Sequence, residues 1–560
     1  MARQANHGVA WLALLLAAAA QAQEAPKPLL PPGMATPAEQ AAPVELPPTV
    51  LPAPPAEDET TDPAADAAPA EAAPELLVSL PASPELRRAG LLLPADGGYG
   101  EGLFARSNGR FLAGLMNRLD APLASRWLQI IVTRALLSSA DAPADVNAAD
   151  WLAARARALT RLGAAADAHR LLLKIPPERF TRNLYQAAGD AALAAGDPVA
   201  LCPLAATARS LSTAGMWALA DGYCSAIAGD DLTSASLFDA LRRRKLVNGF
   251  DIGLAERLAS TAGEGRRASN PDWGEVGRLS AWRLGLASAA GLALPDALVA
   301  GASPQLAAWM VRLPGLPLAR RVEMLPRAVA TGAFSAVEAN RLLAAQLPSL
   351  NPAAVEASAA GQLRVAWSAP DVGDRADAIA ALLARAPDGS PERYGWLVAA
   401  GPAASTILPG TALRAQAPTL VAAMLAAGIV PRARLWASVT GEDPAVWALL
   451  APHGASGDRF DSWAKTVPPH RAALLAAGLR GLGQSIGPAP EPLENGWTRA
   501  LDAALAADDA GGVLILAATG MQLGWTQVAP DVLRRIVDAL RRTGREAEAR
   551  LIVSEAATRG

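Results

Sequence analysis

Three glycines, Gly163, Gly196 and Gly229, stand 33 residues apart, each between two stretches whose apolar residues recur at helical spacing. A helix, a glycine turn and a second helix form a hairpin with one apolar face. A single hairpin cannot bury that face alone, so a fixed period of this length predicts hairpins that stack and share a core. In the first unit Leu152, Ala156 and Leu159 share one helical face while Arg157 and Arg161 point away. Beyond Gly163 the stripe is Ala164, Ala168, Leu171, Leu172 and Ile175, with Asp167, Arg170 and Lys174 outside it. Seven residues before each glycine stands another small residue, Ala156, Gly189 or Gly222, which allows close helix approach. The pattern returns near the end, where Gly544 separates two helical stretches and Ala549 lies five residues beyond it. Alternating Val/Ile/Thr runs and hairpin dipeptides are sparse. The expected fold class is all-α.

Over residues 150–246 and 529–556 these features resemble the tetratricopeptide family in a degenerate form. The family's small residue five beyond the turn is matched by Ala168, Ser234 and Ala549 and departed from at Leu201, and the proline that usually closes each repeat is mostly missing. The resemblance implies an α-solenoid of stacked helical hairpins whose concave surface binds protein segments. Between 250 and 520 helix pairs are expected around Gly332, Gly428 and Gly481 without a clean period. The array is expected over 149–560, with breaks near 263–273 and 481–492. Residues 77–148, with a glycine-rich turn (Gly97, Gly98, Gly100, Gly102) and two leucine-rich helices, are read as an amino-terminal helical cap.

The first residues read as an address. Arg3 precedes an unbroken apolar run from Val9 to Ala20, and Ala20-Gln21-Ala22 fits the small-x-small rule, so 1–22 is expected to be a signal peptide cut after Ala22. Residues 23–76 hold 14 prolines and ten acidic side chains with few large apolar groups, the composition of a disordered Pro/Ala-rich acidic linker. No later apolar stretch reaches the roughly 20 residues of a membrane-spanning helix. The expected location is therefore periplasmic or secreted, with no membrane span after cleavage.

Composition narrows the functional classes. A net charge of −3 argues against nucleic acid as a partner. Two cysteines exclude a disulfide-rich scaffold and a Cys₄ zinc site. Gly483-Gln484-Ser485-Ile486-Gly487 spells a nucleophile elbow, but that motif requires a strand before the serine, and a helix pattern precedes this one. Gly100-x-Gly102-x-x-Ala105 lacks the strand-helix context of a dinucleotide site. His453 and His470, with Asp458 and Asp461 between them, read as solvated loop and helix-start residues. The run Arg242-Arg243-Arg244-Lys245 reads as a solvated helix end, where cations complement the macrodipole. Thirteen tryptophans from Trp127 to Trp525 read chiefly as fillers among small alanines. Lytic transglycosylases carry a helical superhelix of this kind, yet their Glu-Ser pair occurs nowhere in the chain, which leaves a glycosidic bond without a proton donor. No catalytic, cofactor-binding or metal-binding residue is assigned, and no cofactor is expected.

Cys202 and Cys224 lie on two helical stretches at nearly equal distance from the turn at Ser212-Thr213, so an antiparallel hairpin brings them level. In an exported chain this predicts a disulfide. The functional expectation is a non-enzymatic periplasmic scaffold or adaptor that binds another envelope protein. The alternative is a peptidoglycan- or glycan-binding superhelix acting with a cell-wall enzyme.

Overall fold

The alanine- and leucine-rich stretches are helices in the computed structural model, which describes residues 84–262, 270–440, 442–522 and 524–560. The described residues form an all-helical body, and the β-type pairing among them is a single bridge between Leu92 and Ser138. The expected signal peptide with its cut after Ala22, the linker 23–76 and part of the 263–273 break lie outside the described residues. The described residues all belong to one compact unit.

The periodic glycines sit between helices. Ala148–Arg161 and Ala165–Leu172 flank Gly163; Arg182–Ala194 and Cys202–Leu211 flank Gly196; Gly215–Ile227 and Asp231–Arg244 flank Gly229; Pro530–Arg542 and Glu546–Arg559 flank Gly544. All four glycines are left-handed, with φ between 78° and 86°. In each, the following N–H reaches back to a carbonyl five residues earlier: Ala164 to Leu159, Asp197 to Ala192, Asp230 to Ser225 and Arg545 to Leu540. This is the Schellman termination, which favours glycine because a Cβ is strained at positive φ. Asp197 and Asp230 then cap the next turn through their side chains, accepting from Ala200 N–H and Thr233 N–H.

Leu201 departs from the small-residue rule for a local reason. It ends a 3₁₀ turn, Pro198–Leu201, ahead of the second helix, and fills a buried site there. Gly481 corrects one expectation. It is the last residue of the helix Pro469–Gly481, packed against the Arg534 carbonyl and Val537, and the left-handed turn falls at Gly483. No helix follows until Gly496, so the chain breaks here and does not form a hairpin.

Contacts also run between elements remote in sequence. The helix Arg126–Leu137 packs against Ala148–Arg161, Ala165–Leu172, Leu318–Thr331, Ala510–Gly520 and Glu546–Arg559. Ala281–Ala289 returns to Arg182–Ala194. The early and late helices of the described body are thus in direct contact. Arg155 secures this inner layer: wholly buried, its guanidinium donates to the carbonyls of Ala89, Leu136 and Ser138, and so satisfies the end of the Arg126–Leu137 helix. Burial pushes its pKa down to about 10.

Candidate functional site

Ser125 caps the Arg126–Leu137 helix by accepting from Leu128 N–H. Its hydroxyl donates to Glu555 at 2.7 Å, and the other Glu555 oxygen accepts the Arg126 N–H at 3.0 Å. A carboxylate from the last helix therefore sits at the positive end of an early one. The Arg126 guanidinium points the other way, donating from Nε to the Val329 carbonyl (3.1 Å) and from Nη1 to that of Ala426 (3.3 Å). These carbonyls lie near the ends of Leu318–Thr331 and Ala417–Ala426, where a cation complements the dipole. Desolvation lowers the Arg126 pKa against the opposing pull of Tyr394 and Glu555. Arg559 completes the cluster, with Nη1 2.7 Å from Glu555 and its guanidinium 4.5 Å from the centre of the Tyr394 ring.

Two concavities reach this junction, and a third adjoins one of them. A crevice of about 250 Å³ is lined by Leu383, Arg393, Tyr394, Leu397, Thr419 and Arg559. A second, of about 270 Å³, lies against Pro122, Leu123, Thr331 and the same Arg559. Through Ala300, Arg327 and Glu392 the second shares its wall with a cleft of about 710 Å³, faced by Val322, Pro326, Arg385 and Trp396. The shared wall is an ion pair, Arg327 Nε to Glu392 at 2.7 Å.

The sequence-selected residues are placed as follows. Cys202 and Cys224 form a disulfide, with Cα atoms 5.4 Å apart, that joins the helices Cys202–Leu211 and Gly215–Ile227. Ser485 lies exposed in the helix-free stretch after Gly483, with no strand before it. Gly102 lies in a 3₁₀ turn, Glu101–Phe104, preceded by Gly100. The two histidines go to different partners, His453 to Ser554 and His470 to the Trp525 carbonyl, both at 3.1 Å. His453 is buried rather than solvated, and desolvation, helped by Arg550 and Arg434, lowers its pKa to about 4. Among the described residues no His/Cys/Asp/Glu group is arranged to hold a metal ion. Arg243 and Arg244 are exposed, while Arg242 pairs with Glu256 and Asp239. Eight tryptophans, Trp151, Trp217 and Trp436 among them, are buried in the core, and Trp367 is 43% exposed. The buried charges Arg126, Arg155 and Glu555 were not singled out from the sequence. A charge inside an apolar helical stretch was the available signal.

No family model, curated protein or solved structure matches this chain.

Proposed function

We propose that the protein is an exported, tetratricopeptide-like solenoid of helical hairpins that works in the periplasm as a non-enzymatic scaffold or adaptor for another envelope protein. The observation that carries this reading is the run of hairpins with identical glycine terminations at 33-residue spacing. A separate cleft of about 710 Å³, lined by residues between Ala300 and Trp396, offers room for a partner segment. Arrays of this kind present extended surfaces on which partner segments are bound. The apolar run Val9–Ala20 and its Ala20-Gln21-Ala22 site support export. A paired Cys202–Cys224 is in keeping with an oxidising compartment. Among the described residues no helix is long and apolar enough to cross a membrane. Cross-linking in intact cells, followed by mass spectrometry, tests the reading: an envelope protein recovered with the full chain supports it, and cytoplasmic partners alone would refute it.

One observation favours a second reading, binding of peptidoglycan or another glycan. The exposed Trp367 indole is held in place by a 2.8 Å bond from its Nε1 to Asn340, and a fixed, exposed ring suits stacking on a sugar. Sedimentation with purified sacculi, lost in Trp367→Ala, is the expected result under that reading.

A further inference from the structure

The Arg559 guanidinium is only partly used. Its Nη1 donates to the Ala124 carbonyl (3.2 Å) and to Glu555 (2.7 Å), while among the described residues Nε and Nη2 have no partner. That free Nε–Nη2 edge is the one with which an arginine grips a carboxylate through two parallel bonds. Arg559 lines the crevice of about 250 Å³, and Tyr394 lines it beside Arg559. Tyr394 is 4% exposed, and among the described residues its hydroxyl has no hydrogen-bond partner. A buried, unsatisfied hydroxyl costs free energy until a partner arrives.

Local charge favours an anion. Arg327 is paired with Glu392 and Arg393 with Asp388. At the junction, Glu555 pairs with Arg559 while the Arg126 guanidinium meets only the carbonyls of Val329 and Ala426, so the three charges leave a net positive one. Leu383, Leu397, Pro418 and Ala422 give one part of the wall an apolar face, and Ser390, Arg393, Thr419 and Thr558 line the remainder. We infer that this crevice is a binding site for a small organic carboxylate with a short apolar tail, its head held by Arg559 and Tyr394 and its tail against Leu383 and Leu397. This assigns a small-molecule ligand in addition to the macromolecular partner proposed above. It touches Pro391–Ala404, Ala417–Ala426 and Glu546–Arg559, three helices that meet at the Arg126–Glu555 junction.

The test is calorimetric titration of the full chain with hexanoate and with hexanamide, which differ in charge but hardly in shape. Hexanoate is expected to bind and to raise the melting temperature, and hexanamide to do neither. Tyr394→Phe keeps the ring under Arg559 and removes only the unpartnered hydroxyl. It is expected to weaken hexanoate about tenfold, the worth of one hydrogen bond to a charged group. Equal binding of acid and amide, no binding of hexanoate, or full affinity in Tyr394→Phe would each overturn the assignment. The acid–amide comparison uses the unmodified protein and so stands whatever the variant does to folding.

Discussion

Glu555 accepts the backbone N–H of Arg126 at 3.0 Å, although 429 positions separate the two residues. Loop-closure entropy opposes a contact of that span, and an open stack held only by nearest neighbours would not make it, so the array proposed above is one whose early and late helices meet. Buried on all sides, the carboxylate also bonds Ser125 and Arg559, so one side chain holds the first and last long helices together.

Glu555→Ala leaves the buried Arg126 N–H and Ser125 hydroxyl without their acceptor and the partly buried Arg559 without its counter-charge. A loss of about 3–5 kcal/mol is expected, read as a lower urea midpoint. Glu555→Gln retains an acceptor and is expected to cost less. A loss under about 1 kcal/mol in the alanine variant would mean that the junction does not hold the ends.

The turn glycines predict a graded series. Gly229 has φ 85° and open space around it, so Gly229→Ala should cost about 1 kcal/mol of backbone strain alone. At Gly163 (φ 86°) an added Cβ would also lie 2.7 Å from that of Ala308, and the loss should be larger. Equal melting temperatures for the two variants would remove the packing role assigned to Gly163.

Removing the disulfide by Cys202→Ser with Cys224→Ser opens a loop of sequence separation 22. The chain-entropy relation gives a loss of about 3 kcal/mol. The staple lies between Cys202–Leu211 and Gly215–Ile227, so hydrogen exchange should rise there before it rises in Arg126–Leu137. Uniform acceleration across the chain would contradict this local role.

His453 is neutral in the fold, with its pKa depressed from 6.5 to about 4. The unfolded chain therefore binds the extra proton first. The stabilising effect of the neutral ring is complete above pH 6.5 and is lost as pH falls toward 4, about 3 kcal/mol in all. His453→Gln, which can still bond Ser554, is expected to flatten this part of the stability–pH curve. An unchanged slope between pH 6.5 and 4 would show that the ring is not buried neutral.

What the sequence makes legible is local chemistry. A glycine that must be left-handed, an aspartate that caps the next turn and a stripe from Ala164 to Ile175 are all written within a few residues, and each stripe position is buried. Cys202 and Cys224 are likewise neighbours across one short turn. The junction is not legible, because Arg126 and Glu555 acquire their roles only when remote helices meet. Arg155 illustrates the same limit: beside Arg157, in the same helix, nothing in the spacing reveals that it serves the carbonyls of Ala89, Leu136 and Ser138. His453 read as solvated for the same reason, since its partner Ser554 lies 101 positions away.

The scaffold reading is tested most directly by placing a photo-cross-linking amino acid at Gln346 or Ser358, which line the cleft of about 710 Å³, and at Leu232, 87% exposed on the Asp231–Arg244 helix and absent from the cleft wall. Irradiation of intact cells is predicted to join one and the same envelope protein to the chain from both cleft positions, with no such product from Leu232. Identical products from all three positions, or none from the cleft, would contradict the account.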